Sequence, residues 1–407
     1  MIKRTKLLIL AFSMWLTLML AFMPVSIKAA PPAAPKTIKI GVLYDITGPG
    51  AAMGKMVSWG FQKAIEIVNK DGGVYVKQFD QKIPIELISA DLASNPEKAV
   101  LGAEYLNGQN VFLLIGSTIF IPAAAGVIEK YHLPSMPILS AIYEPYKQGY
   151  RYLFSPGLKS PDIARMTVGV LDSVPKDRRP TLIALFEEQQ DYGIELCKYM
   201  EQEATSHGYK TIRLKYQRFT KDLSPQILEA KAAGAEVVFS SAPVADGMLT
   251  IKQMKQLDYN PKAALLHQGP QARAAWKTLG KDGNYVISSG DGHWSFKYPG
   301  LQGLTAMAQA EFGEPPTLIH VHAYSAIQVA ADAIKRAGAL DREKIREALT
   351  ATDVMTIEGP VKFRKDGTRA FPSVPCMQWQ NGVETIVWPE DIREKPFVYP
   401  MPRWDKR

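Results

Sequence analysis

Short apolar runs and stretches with helical spacing take turns along most of this chain. Residues 38–44 (IKIGVLY) read as a strand. Val57, Phe61, Ala64, Ile65 and Val68 then mark one face of a helix, which "DGG" at 71–73 stops. A strand is predicted at 83–90 (IPIELISA). Ser94-Asn95-Pro96-Glu97 has capping-box spacing with proline early in the helix, so a helix should start there. "VFLLIG" at 111–116, a helix near 121–131 and "LPSMPIL" at 133–139 complete a first set. A second set follows "RYLFSPG", with strands at 181–186, 211–216, 236–241 and 262–268 and helices between them, one entered at Ser224-Pro225. Residues 301–350 are mainly helical. The tail has an antiparallel character: VKF at 361–363, "DGT" at 366–368, then CMQWQ and VETIVW around Asn381-Gly382, a strong hairpin signal.

Alternation of this kind predicts an α/β fold of two lobes, each a mainly parallel sheet with helices on both faces. Ligands of such sheets bind beyond the carboxyl ends of the strands. A cleft between the two lobes is therefore the natural site.

The first thirty residues stand apart from this pattern. Lys3, Arg4 and Lys6 precede an apolar run from Leu7 to Met23, and Ala29 and Ala30 follow, the layout of a cleaved secretory signal over 1–30. No cysteine lies near that cleavage site, so a lipid anchor is not expected and the mature chain should be periplasmic. Lys3, Arg4, Lys6 and Lys28 leave with the segment, and no acidic residue does, so removing four positive charges from the net +8 leaves +4. Acids and bases interleave without long blocks of one sign, which argues against a nucleic-acid partner. The two cysteines, Cys197 and Cys376, fall in a helical and a strand pattern and read as small buried apolar residues.

Gly48, Gly50 and Gly54 give G-x-G-x-x-x-G between the first strand and its helix. This is one residue longer than the dinucleotide fingerprint, and no acid sits about twenty positions on, at the end of a second strand. No G-K-[ST] follows, so no nucleotide cofactor is expected. The N–H groups of a helix start can still receive a small carboxylate.

At this point a resemblance becomes specific. "IKIGVLYDITGPGAAMGKMVSWGFQKAIEIVNKDGGV" resembles the opening of the periplasmic binding proteins that serve ABC importers of the branched-chain amino-acid type. "KAVLGAEYLNGQNVFLLIGS", "YHLPSMPILSA", "YLFSPG", "QQDYGIELCKYM" and "IEGPVKFRKDGTRAF" follow in the family's order. The resemblance implies a hinged type I receptor whose chain crosses between lobes near 154–157, 287–291 and 358–361. Lobe one is then 36–154 plus 290–358, and lobe two 155–289 plus 359–407. It also implies a small-molecule ligand and a membrane permease as partners, and a monomer without metal or cofactor. The implied ligand contacts are Met53 beside Gly54, Ser117 and Thr118, Ser140 and Ala141, from lobe two Tyr192 and Gln268, and at the second crossing Trp294.

The sequence departs from the family at one telling place. The acid that pairs with an amino-acid ligand's ammonium is replaced by Gln268 in "LLHQGPQA", and the family's lobe-one disulfide has no counterpart near Ala93. A buried ammonium without a carboxylate is costly. Either Asp191, Glu188 or Asp246 substitutes, or the ligand is an organic acid or amide rather than an amino acid; the second is the expectation. An enzyme would need convergent chemistry. His320-x-His322 precedes a helical pattern and lacks a third ligand at metal spacing, and no G-x-S-x-G elbow occurs. A sensory domain of the same fold is the alternative from another class.

Overall fold

The structure, a computed structural model, describes residues 33–116, 120–370 and 375–407. The secretion signal read at 1–30, and Ser117 and Thr118, lie outside the described residues.

The first sheet is built from β1 (Ile38–Tyr44), β4 (Ile85–Asp91), β5 (Leu113–Gly116) and β6 (Ser135–Pro137), all parallel in the order β4-β1-β5-β6. β1 is a nearly unbroken apolar run, as a strand covered on both faces requires, and Ile38, Ile40, Val42 and Leu43 are fully buried. Around this sheet lie α1 (Ala51–Lys70), α2 (Pro96–Gly108) and α3 (Ala125–Lys130). The predicted strand at 83–90 divides at Pro84. Residues 81–83 form β3, which pairs antiparallel with β2 (Val74–Val76), and only Ile85 onward joins β1. Proline has no N–H for a ladder, and its carbonyl instead accepts Ile38 N at 2.8 Å.

The second sheet holds β7 (Leu182–Glu188), β8 (Lys210–Tyr216), β9 (Val237–Ser240), β10 (Ala263–Leu266), β11 (Ile287–Ser289), β14 (Cys376–Gln380) and β15 (Val383–Trp388). Its order is β15-β14-β11-β10-β9-β7-β8, parallel through β11 and antiparallel at β14 and β15. Asn381 and Gly382 both take positive φ in the predicted hairpin turn. Helices α4 (Ser160–Asp172), α5 (Asp191–Ser206), α6 (Ser224–Ala232), α7 (Val244–Gln256) and α8 (Arg273–Lys277) cover this sheet. Two apolar clusters form its core. One runs from Ile163 through Leu185 and Leu196 to Val387, the other from Phe186 through Ile251 and Trp276 to Trp379. Cys197 and Cys376 are free thiols buried in the first of these.

Among the described residues the chain passes between the sheets three times. Leu153 bridges Ser135 beside β6, and two residues later Ser155 bridges Thr368. After β11 the chain returns to form α9 (Leu301–Phe312), α10 (Leu318–Ala337) and α11 (Arg342–Thr350), with Trp59 of α1, Leu304 of α9 and Val321 of α10 in one cluster. Ile357 still belongs to that cluster. β12 (Asp353–Thr356), which no periodicity marked, pairs antiparallel with β13 (Gly359–Lys362), and the chain then crosses to β14. The helical prediction over 301–350 is met by α9 to α11. No helix among the described residues is long and apolar enough to cross a membrane.

Candidate functional site at the strand ends

The glycine turn follows β1 and is held by the protein's own side chains. Asp91, which ends β4 opposite Tyr44, accepts Ile46 N at 2.9 Å, Thr47 N at 3.2 Å and Thr47 Oγ1 at 2.6 Å. Desolvation works to raise this carboxyl, but the hydrogen bonds from Thr47, Ala93 N and Ile46 N outweigh it and hold its pKa at about 2. Asp45 accepts Ser94 N at 2.5 Å, and Ser94 Oγ accepts Gly50 N at 2.9 Å. Ser94 therefore stands at φ +54° serving the turn. The cap of α2 is Asn95, whose Oδ1 accepts Glu97 N at 2.7 Å and Lys98 N at 3.3 Å. A side chain on Gly54 would meet the Asp45 carbonyl at 1.7 Å, so only glycine lets α1 start this close to β1. Met53 beside it is 40% exposed.

The loop after β6 carries Ser140 and Ala141. Ser140 is buried; its Oγ has no partner among the described residues, and its carbonyl accepts Lys159 Nζ. The Ala141 carbonyl accepts Ser160 N at 2.8 Å and Ser160 Oγ at 3.0 Å. Two residues on, Tyr143 N and Glu144 N donate to the two oxygens of Glu195 at 2.7 and 3.0 Å. That carboxylate comes from α5, beside the second sheet. Burial lowers the Lys159 ammonium to about 7 against the pull of Glu195, Asp162, Asp291 and Asp366.

From the second sheet, Tyr192 in the first turn of α5 is 2% exposed, has no partner for its hydroxyl among the described residues, and meets His267 edge-on at 6.2 Å. It belongs to the apolar cluster under that sheet. Gln268, partly buried after β10, donates its N–H to Ser241 O at 3.1 Å. Trp294, partly buried after β11, lies 5.4 Å from the His293 ring. The three acids weighed against Gln268 sit in different settings. Asp191 is exposed at the start of α5. Glu188 is buried, accepts Ser241 Oγ at 2.8 Å and pairs with Arg218 at 3.3 Å. Asp246 is buried and accepts Phe219 N at 3.1 Å. Burial pushes both Glu188 and Asp246 upward, Arg218 opposes this in each, and so two buried carboxylates share one guanidinium.

Sequence reasoning missed Glu195, Lys159, Arg218 and His267. His267 reaches Ser289 Oγ, and burial holds its pKa near 4. It also missed a cluster of Asp291, His322 and Glu358, whose ligating atoms lie within 4.8 Å of one another. The sequence reading placed His320-x-His322 ahead of a helix and without a third partner; both instead lie inside α10, and Asp291 and Glu358 reach His322 from distant segments, which no local spacing signals. A separate cavity of about 380 Å³ lies between α1 and strands β1 and β4, lined by Val42, Phe61, Ile65 and Leu87.

Two α/β lobes joined by three crossings, with polar loops gathered at the strand ends, define a bilobal solute receptor. The chain belongs to the periplasmic binding protein family, whose model matches residues 37–384, as a substrate-binding protein of the branched-chain amino-acid ABC transporter type. It is 27% identical over 383 residues to Leu/Ile/Val-binding protein homolog 7 of Brucella melitensis, covering 89% of this chain and 93% of that one. Its fold matches the leucine-binding protein LivK of Thermotoga maritima with a TM-score of 0.76 at 22% identity, over 86% of this chain and 97% of that one. It also matches a solute-binding protein of R. palustris in complex with benzoate, with a TM-score of 0.73 at 14% identity, over 86% and 95% of the two chains.

Proposed function

We propose that the chain is an extracytoplasmic receptor that closes on one small carboxylate-bearing ligand between its lobes and delivers it to a membrane permease, without catalysing a reaction. The rigid halves are residues 36–154 plus 290–358 and residues 155–289 plus 359–407. Met53 and Gly54 roof the ligand; Ser117, Thr118, Ser140 and Ala141 cradle its carboxylate; Tyr192 and Gln268 form the facing wall, with Trp294 at the second crossing beside it. The observation that carries this reading is the loop after β6, where the N–H groups of Tyr143 and Glu144 already grip a carboxylate from the opposite side, that of Glu195. Those two N–H groups are taken by Glu195, and the Ser140 hydroxyl of the same loop, buried and without a partner among the described residues, is a donor left for a ligand carboxylate.

Tyr192, Gln268 and Trp294 carry no formal charge at neutral pH, which favours an organic acid, as in the R. palustris complex with benzoate. A second reading, an amino acid as in the name of LivK, draws on Glu188 and Asp246, which outnumber the one guanidinium of Arg218. Native mass spectrometry of the purified protein identifies any carried ligand. Calorimetry of leucine, isoleucine and valine beside their deaminated acids and benzoate then separates the readings. Tighter binding of the acids is expected; tighter binding of the amino acids moves the assignment to the second reading. Binding of neither class, with no carried ligand, overturns both.

A further inference from the structure

All three crossings meet at one buried cluster of charges. His322, on α10, places Nε2 2.6 Å from Asp291 Oδ1 and Nδ1 3.1 Å from Glu358 Oε1. The second contact is an ion pair rather than a well-aligned hydrogen bond. Arg369 reaches the same Glu358 oxygen with Nη1. All four side chains are buried. Each comes from a different segment: Asp291 follows β11 on the second crossing, Glu358 lies on the third, Arg369 follows β13, and His322 belongs to the helices around the first sheet. The first crossing is tied in as well. Leu158 N donates to Asp291 Oδ2 at 3.0 Å, and Arg369 donates to Pro156 O at 3.2 Å through Nη1 and to Ser155 O at 2.9 Å through its backbone N. Arg369 also donates to Pro360 O at 2.8 Å, so one guanidinium spans the first and third crossings.

The charge arithmetic says which form the cluster takes. Two carboxylates and one guanidinium leave a buried excess of one negative charge, which a protonated imidazole between the carboxylates removes. The ring's two nitrogens also face two separate carboxylates. A bound cation would take the lone pair of one nitrogen and sit beside a guanidinium, so the arrangement suits an imidazolium better than a metal.

We propose that His322, as an imidazolium, is the positioning residue of lobe closure: it pins the three crossings together, so the lobes turn about a fixed ionic pivot rather than on three loose strands. The proposal rests on the receptor reading above for its purpose, but its geometry needs no ligand. The groups facing the pin are Asp291 and Glu358 at the ring, Arg369 behind Glu358, and Lys159 and His267, on which Asp291 acts from the second crossing. Burial alone would lower the imidazole's pKa, but Asp291 and Glu358 together lift it to about 10.

Two ligand-free measurements on the full chain test the pin. In the first, side-chain NMR of labelled histidine follows the ring through a pH titration. His322 should remain protonated beyond pH 9, more than two pH units above an ordinary histidine; a midpoint between 6 and 7 overturns the proposal. In the second, spin labels at Glu104→Cys on α2 and Glu229→Cys on α6 report the distance between lobes. A single narrow distribution is expected at pH 7. It should broaden in His322→Gln and narrow again in His322→Lys, which keeps a cation between the carboxylates. Identical distributions in all three overturn the proposal and leave the receptor reading intact. If the variants fail to fold, the titration of the unsubstituted chain still decides.

Discussion

Gly54 and Arg369 show how far single residues constrain this molecule. Gly54→Ala would drive a methyl group into the Asp45 carbonyl, 1.7 Å from the ideal Cβ position, so the start of α1 must shift. The expected loss is at least the ~1–3 kcal/mol of ordinary overpacking, read by urea denaturation; a loss below about 0.5 kcal/mol would show that the turn yields freely. Arg369→Met leaves two buried carboxylates, Asp291 and Glu358, to share the one cation of His322. Removing one partner of a buried pair costs about 3–5 kcal/mol. Adding Glu358→Gln in the same chain should recover part of that loss, because the excess negative charge goes with it. No recovery would mean that the guanidinium acts through its bonds to the Pro156 and Pro360 carbonyls rather than through the pair. The sequence made Gly54 legible as part of a tight turn, since glycine spacing between a strand and a helix is a local signal. Arg369 was not legible: the partners of its side chain lie up to 213 positions away.

Local signals also decide which elements could be read in advance. β1, α1, the Asn381-Gly382 hairpin and the helical stretch after 300 follow from periodicity, caps and turn residues within a few positions of each other. The β2–β3 hairpin and β12 escaped because each strand has only three or four residues, too few for a period to show. The start of α2 moved by one residue for a long-range reason. Ser94 is engaged by Asp45 and Gly50, which leaves Asn95 as the cap. Asn95→Ala should therefore cost about 1 kcal/mol, and Ser94→Ala should loosen the glycine turn while leaving the α2 cap in place. Amide hydrogen exchange at Glu97 and Lys98, against that at Gly50, separates the two. Faster exchange at Glu97 in Ser94→Ala would return the cap to Ser94. Among the proposed contacts, the turn and the β6 loop were legible as strand ends and Glu188 and Asp246 as candidate acids, whereas the Arg218 that joins those two depends on tertiary contacts and was not.

For the molecule as a whole, two buried cations govern the alkaline response with opposite signs. His322 is lifted from 6.5 to about 10, so its stabilisation is complete below pH 6.5 and fades as pH rises towards 10. Lys159 is lowered from 10.5 to about 7, so its burial penalty is complete below pH 7 and is relieved as pH rises towards 10.5. Between pH 7 and 10, unfolding releases a proton at one and takes one up at the other, so the two contributions cancel. His322→Gln should expose the Lys159 contribution, with stability rising by up to about 1.4 kcal/mol per pH unit across that window; Lys159→Met should expose the opposite slope. Urea unfolding at four pH values measures both, and a flat profile in both variants would refute the pairing. The two thiols bear on the whole molecule in another way. Cys197 and Cys376 are free, buried under the second sheet, and pushed by burial far above the range in which a thiolate forms. The folded protein should therefore be silent towards alkylating reagents. A reporter installed at Met53→Cys would label alone, and the slow labelling that remains at Cys197 and Cys376 becomes a clock for how often the second lobe breathes open.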